Sequence, residues 1–153
     1  MKVNKIIISK EPTELEINEI TLLTVDEAKE LGEAQRYMAP NWWLRSPGYI
    51  DSIAAFVDGE YGYVHVYGVN VSVEFGVRPA LKISNLESSD FQIGDEFEFA
   101  EYKWTIISED KALCNDVIGY SAFRKEWRAK DANNYEASDV KKWLEDWWKK
   151  VKG

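Results

Sequence analysis

The sequence is short of the residues that most often carry chemistry. Its 153 residues include one cysteine, Cys114, and one histidine, His65. A single cysteine excludes an intramolecular disulfide, and the pair falls short of the four Cys or His ligands of a structural zinc site. A Cys–His nucleophile pair would have to recruit these two residues across the fold. Long hydrophobic runs are missing as well. Ile6 to Ile8 near the N-terminus and Ser52 to Val57 are the longest, well short of a secretory core or a membrane span. Positive charge is in deficit: 19 Lys and Arg stand against 27 Asp and Glu, a formal −8 with pI near 4.8. That balance argues against direct nucleic-acid binding and against an anionic membrane surface as partner, and leaves a basic partner open. The chain reads as soluble and, with its unpaired cysteine, cytoplasmic.

Signature loops are absent too. No Asp-x-Asp-x-Asp-Gly calcium loop, no phosphate-cradling Gly-rich loop and no Gly-x-Ser-x-Gly elbow occurs, so no metal, cofactor or catalytic residue is expected. Cys114, inside an expected strand, reads as a small buried hydrophobe. Asp58 and Glu60 flank a hairpin tip and read as solvated turn residues. The expectation is a protein that is not an enzyme.

What is present is aromatic and acidic. Seven Trp, eight Tyr and six Phe within a 45% hydrophobic composition indicate one globular domain, residues 1–153, able to bury roughly 70% of its extended surface. The charge is patchy. Residues 11–33 hold eight acids against Lys29, and residues 84–110 hold eight against Lys103, whereas residues 124–152 hold nine bases against six acids. Each acidic block is either a solvated face or a binding surface.

Local patterns give an α+β chain of short strands and hairpins with two main helices. Lys2 to Ser9 and Ile20 to Leu23 read as strands. Thr24 with Glu27 forms a capping box that starts a helix running to about Arg36, before Pro40. Ser52 to Val57 and Glu60 to Val66 flank Asp58-Gly59, the signature of a type I′ hairpin. The valine phase shifts at Tyr67-Gly68, which marks a second turn or a bulge. Each strand of this 60–74 ribbon should then turn valines to the core and Tyr61, Tyr63, His65, Tyr67, Asn70 and Ser72 outward. Phe97 to Phe99, Tyr102 to Ser108 and Lys111 to Asn115 read as a meander. Ser138 is the expected N-cap of a last helix whose Val140, Trp143, Leu144, Trp147, Trp148 and Val151 make one wide apolar stripe. Trp42 and Trp43 project to opposite sides of an extended segment, one into the core and the other over a loop. Arg45 and Arg78, each beside a Pro-containing turn, are expected to pin loops through acids or carbonyls, with anion binding as the alternative.

Asn41-Trp42-Trp43-Leu44-Arg45-Ser46-Pro47-Gly48, followed by Gly76-Val77-Arg78-Pro79-Ala80-Leu81, resembles the ending of a family of uncharacterised bacterial and phage domains. That family looks like the formylglycine-generating-enzyme branch of the C-type-lectin-like fold. Ile20 to Ala28 is similar to the lead-in to that motif. Tyr102 to Ile107, Lys111 to Leu113, Trp127, Ser138 and Trp143-Leu144 are similar to the family's opening. The order is reversed here, so the resemblance implies either a circular permutation or a half-exchanged dimer. In the first case a 1–83 half and a 91–153 half are joined by 84–90. One chain holds one copy of each half, which favours a permuted monomer. The resemblance also implies copper carried by a cysteine pair for the enzymes of this fold, which Cys114 alone does not satisfy. The calcium motifs of its sugar-binding members are absent.

Function is therefore expected to be binding, to a protein or other macromolecule, through the outward Tyr61, Tyr63, His65, Tyr67, Asn70 and Ser72, residue types that binding surfaces favour. Some proteins similar to the family are targets of diversity-generating retroelements, whose adenine-rich codons yield such residues. The alternative is a phage- or mobile-element-encoded acidic inhibitor that mimics nucleic acid toward a basic host defence protein such as a CRISPR nuclease.

Overall fold

A computed structural model describes residues 2–4 and 14–153. The fold is α+β, dominated by strands. A six-stranded sheet runs in the order β1-β2-β7-β10-β9-β8, from β1 (Lys2–Asn4), β2 (Glu14–Thr21), β7 (Ala80–Ile83), β10 (Lys111–Cys114), β9 (Tyr102–Ile106) and β8 (Glu96–Phe99). Its end strands β1 and β8 approach within 8 Å between Cα atoms, so the sheet curls around its own interior. A five-stranded sheet follows the order β11-β6-β3-β4-β5, from β11 (Gly119–Ala122), β6 (Glu74–Val77), β3 (Trp42–Pro47), β4 (Ile53–Asp58) and β5 (Tyr63–Asn70).

The acidic block beginning at Glu11 hides a strand. Leu15 and Ile17 are buried while Glu16 and Asn18 are exposed, a period of two that a bulge between Ile17 and Glu19 then resets. The expected strand Ile20 to Leu23 is thus only the end of β2 and its exit. Of the expected strand Lys2 to Ser9, β1 covers the start, and residues 5–9 lie outside the described residues. The expected helix from Val25 to Arg36 is two pieces. Its capping box forms as read, with the Thr24 hydroxyl accepting from the Glu27 N–H and the Glu27 carboxylate accepting from Thr24 N–H. However, α1 (Val25–Glu30) stops at Leu31, whose extended backbone carries the chain through Gly32 into α2 (Glu33–Arg36). The Arg36 guanidinium bonds the carbonyls of Ala28, Leu31 and Gly62, satisfying ends that a continuous helix would have paired itself.

The Asp58-Gly59 hairpin keeps its first strand, but the second begins at Tyr63 in place of Glu60 and runs to Asn70, so Tyr61 sits in the turn, and the turn itself differs. Its loop is four residues, 59–62, and the positive φ belongs to Gly62 at 75°. Gly59 is needed for approach instead, because a Cβ there would lie 2.0 Å from the Met38 carbonyl oxygen and 2.1 Å from that of Pro40. A two-residue type I′ turn does occur, at Ala100-Glu101 between the paired Phe99 and Tyr102, with φ of 53° and 71° on residues that are not glycine.

Three clusters hold the fold. Leu15, Leu81, Phe97, Trp104 and Ile106 fill the curled six-stranded sheet. The five-stranded sheet is covered on both faces, by Trp43, Phe56, Phe123 and Tyr135 on one side and by Leu23, Trp42, Leu44 and Val57 on the other. This explains why Ala54 to Val57 are buried without alternation. The last helix, α3 (Asp139–Lys152), starts at Ser138, whose hydroxyl accepts from the Lys141 N–H. Its stripe spans two clusters: Val140 and Leu144 pack on the five-stranded sheet, and Trp148 enters the interior of the other. Each such buried side chain contributes about 1.5–3 kcal/mol.

Candidate functional site

The two tryptophans of β3 are both fully buried, one in each cluster beside the sheet. The expectation that one would cover a loop is therefore corrected: α1 roofs the second face, so both project into core. Trp42 Nε1 donates to the Arg36 carbonyl at 3.2 Å, and Trp43 Nε1 donates to that of Ser121 at 2.8 Å. Arg78 is 4% exposed. Its Nε donates to the Cys114 carbonyl at 2.8 Å, its Nη1 donates to that of Gln35 at 2.5 Å, and its guanidinium lies 4.8 Å from the Trp42 ring centre. Burial lowers its pKa to about 10, still charged at neutral pH. Arg45 donates to Thr21 Oγ1 at 2.8 Å, pairs with Glu136 at 3.2 Å and covers the Tyr135 ring at 4.5 Å. Both arginines are held by the protein's own acceptors, the pinning role.

Cys114 is fully buried, and burial pushes its thiol up to about 12, which leaves it as an inert hydrophobe. It belongs to β10 in the six-stranded sheet, whereas His65 belongs to β5 at the edge of the other, so the two make no nucleophile pair. Among the described residues no group of three or more His, Cys, Asp or Glu side chains is placed to hold a metal ion.

Most of the exposed tyrosine gathers along β5 and the loops beside it, the exception being Tyr120 on β11 at the opposite edge of the sheet. Tyr61, Tyr63 and Tyr67 are 55%, 61% and 72% exposed, joined by Tyr37, Tyr49 and Ile50. Tyr61 and Tyr63 stack with ring centres 6.0 Å apart, and Tyr49 meets Tyr67 edge-on at 6.0 Å. His65 stacks flat on Phe56, 4.6 Å between centres, and its Nε2 lies 3.9 Å from Asp58 Oδ2. The rigid support comes from register: Phe56 opposes His65 and Asp58 opposes Tyr63 across β4 and β5, so these side chains share the sheet face. The shift at Tyr67-Gly68 is a bulge inside β5, with Gly68 at φ 92°.

Two expected members differ. Asn70 is half-buried, and its Oδ1 accepts from both the N–H and the hydroxyl of Ser72 at 2.8 and 2.6 Å. These residues shape the turn after β5 and do not extend the tyrosine row. Nor do all the valines divide as expected. Val64 is half-buried against the Val57 side and, past the bulge that reverses the phase, Val69 packs against the other cluster and Val71 is buried as expected, whereas Val66, on the edge strand before the bulge, is 36% exposed. Tyr37 and Tyr49 were missed by pattern reading, since they reach the row from loops. Tyr49 N–H donates to the Tyr67 carbonyl, and Tyr37 hydroxyl donates to Glu33.

The acidic blocks spread over several surfaces. Glu19 faces Lys82 across β2 and β7, Glu98 opposes Lys103 across β8 and β9, and Lys111 pairs with Glu27. Glu87, Glu109 and Asp110 line one cleft with Ser84 and Ser108. Among the described residues no helix is long and apolar enough to cross a membrane. Comparison with protein-family models, with curated proteins and with solved structures gave no match.

Proposed function

We propose that the protein is a non-catalytic binding module that captures a protein partner through Tyr61, Tyr63, His65 and Tyr67, with Tyr37 and Tyr49 extending the surface. The observation that carries this reading is the concentration of exposed tyrosine on one rigid strand and its flanking loops. Tyrosine offers large contact area at little conformational cost and keeps a hydroxyl for polar recognition. The motif pair around Trp42 and Gly76 supports a C-type-lectin-like fold with permuted halves, in which this surface is a display face and one chain, holding one copy of each half, completes the fold without exchange. Cytoplasmic location accords with the unpaired, unreactive Cys114.

Affinity capture from lysate of the cell that encodes the chain tests the reading. The Tyr63→Ala/Tyr67→Ala double variant is expected to keep its far-UV circular dichroism and its cooperative urea transition and lose the captured protein; undiminished capture rejects this face.

A second reading keeps the acidic inhibitor, with no direct contact to nucleic acid. The cleft lined by Glu87, Glu109 and Asp110 favours it, since no cationic side chain lines it. Salt separates the two. Capture led by carboxylates falls steeply between low and moderate ionic strength, whereas capture led by tyrosine changes little.

A further inference from the structure

The outer edge of β5 bears on how the proposed surface is presented. β5 ends the order of the five-stranded sheet, and its eight residues, Tyr63 to Asn70, include no Lys, Arg, Asp, Glu or Pro. Edge strands usually carry one of these, because a charged or proline-bearing edge repels a second strand. Among the described residues only the Gly68 bulge interrupts the edge, which leaves Tyr63 to Val66 as straight strand with no blocking residue in it. The apolar exposure that accompanies it, at Tyr63, Val66, Tyr67, Tyr49 and Ile50, is the surface such an edge covers when it is paired.

The charges at the two ends of this edge are unequal. Glu33, Asp58 and Glu60 surround its start: Glu33 packs beside Gly62, and Asp58 opposes Tyr63. Arg36, which bonds the Gly62 carbonyl, offsets one of these three charges and leaves the start net negative. At the other end Tyr67 meets Tyr49, and Tyr49 and Ile50 share a cleft with Trp127, Arg128 and Lys130, where Asp51 is the one acid. An edge that is acidic at its start and basic past its end is complementary to itself when two copies run antiparallel.

We infer that the partner of this edge is a second copy of the chain, paired β5 to β5 about a two-fold axis perpendicular to the sheet. The start of one strand then lies against the end of the other, and the two five-stranded sheets become one continuous sheet. Same-face side chains stay on the same face across such an axis. Tyr61, Tyr63 and His65 of both protomers therefore form one platform, and the binding surface becomes bivalent. Each protomer remains complete and no half is exchanged, so the pairing replaces the simple monomer expected from the sequence. The inference rests on the binding reading for its use of the platform, although the pairing itself is independent of any partner.

Analytical ultracentrifugation of the full chain, from low-micromolar to sub-millimolar concentration, reads the association directly. The wild type is expected to shift from monomer to dimer, and Val66→Lys, outside the proposed contact residues, to remain monomeric with unchanged circular dichroism. Glu60→Lys and Arg128→Glu should each raise the dissociation constant several-fold, and their combination should restore it. Hydrogen exchange on the wild type needs no variant: amides of residues 63–67 should slow as concentration rises. A wild type that stays monomeric at every concentration overturns the pairing, and leaves the capture result for Tyr63→Ala/Tyr67→Ala to stand or fall alone. A monomer whose partner capture is lost in Val66→Lys also overturns it, assigning the edge to a foreign strand.

Discussion

Arg78 brings a charge into a place where, among the described residues, no carboxylate hydrogen-bonds it, and the cost is met by direct bonds to two carbonyls, by the face of Trp42 and by the nearby charge of Asp116. Those carbonyls belong to α2 and β10, which are far apart in sequence, so one side chain ties the helical segment to the curled sheet. Removing it strands both acceptors. Arg78→Ala is expected to lower stability by about 2–4 kcal/mol in urea unfolding, with Arg78→Lys recovering part. A loss within a few tenths would show that water replaces the guanidinium. Glu27 acts differently. Burial opposes its charge, but the hydrogen bonds from Lys111 and from Thr24 N–H outweigh burial and hold its pKa below the usual carboxylate value. A carboxyl lowered in the folded state stabilises above its unfolded pKa, and that contribution disappears as pH falls through the folded value. Glu27→Gln should therefore be less stable than wild type at neutral pH and approach it in acid. A constant difference across the titration would remove Glu27 from the acid response.

At the scale of elements, the strand pair β8 and β9 closes on Ala100-Glu101, both in the left-handed region that L residues occupy at a cost. Packing imposes it. Phe97, Phe99 and Trp104 lie in the interior, and Trp104 Nε1 bonds the Phe99 carbonyl at 2.9 Å, so the register is set before the turn. Glu101 is exposed, and Glu101→Gly should raise the unfolding midpoint, gaining about 0.5–1 kcal/mol; a fall would mean that the carboxylate has an unseen use. The same case shows which elements were legible. Signals that live in a few adjacent residues could be read: the Thr24 capping box, the Ser138 cap, the tryptophan stripe of α3. The Asp58-Gly59 pair was misread because glycine answers two different needs, positive φ and close approach, and only the Met38–Pro40 backbone lying over it tells them apart. Gly119 has the same second use, for a Cβ there would lie 2.3 Å from the Trp143 ring, and β11 around it went unseen. Part of the candidate surface was legible for the same reason. Tyr63, His65 and Tyr67 follow strand alternation up to the bulge and Tyr61 precedes them in the hairpin loop, whereas Tyr37 and Tyr49 arrive from other loops.

For the whole molecule, the decisive feature is that residues before and after the 84–90 segment share both sheets. β7 pairs with β10, β6 pairs with β11, and Trp43 from the first part packs on Phe123 from the second. The segment itself is anchored. Leu86 within it and Phe91 just past it are buried in the curled sheet, and Asn85 accepts from the Glu16 N–H, while Glu87 and Ser88 are exposed. Covalent continuity at Ser88 therefore contributes loop-closure entropy and little else, whereas the strand pairs and α3 hold the parts together. A protease site inserted after Ser88 and then cut should leave one particle that elutes at the uncut volume and unfolds in a single transition at lower urea. The fragments should separate only once that transition is passed. Fragments that part in native buffer would mean that the pairing across the two sheets is too weak to outlast the cut, and that residues before and after Ser88 fold as independent units.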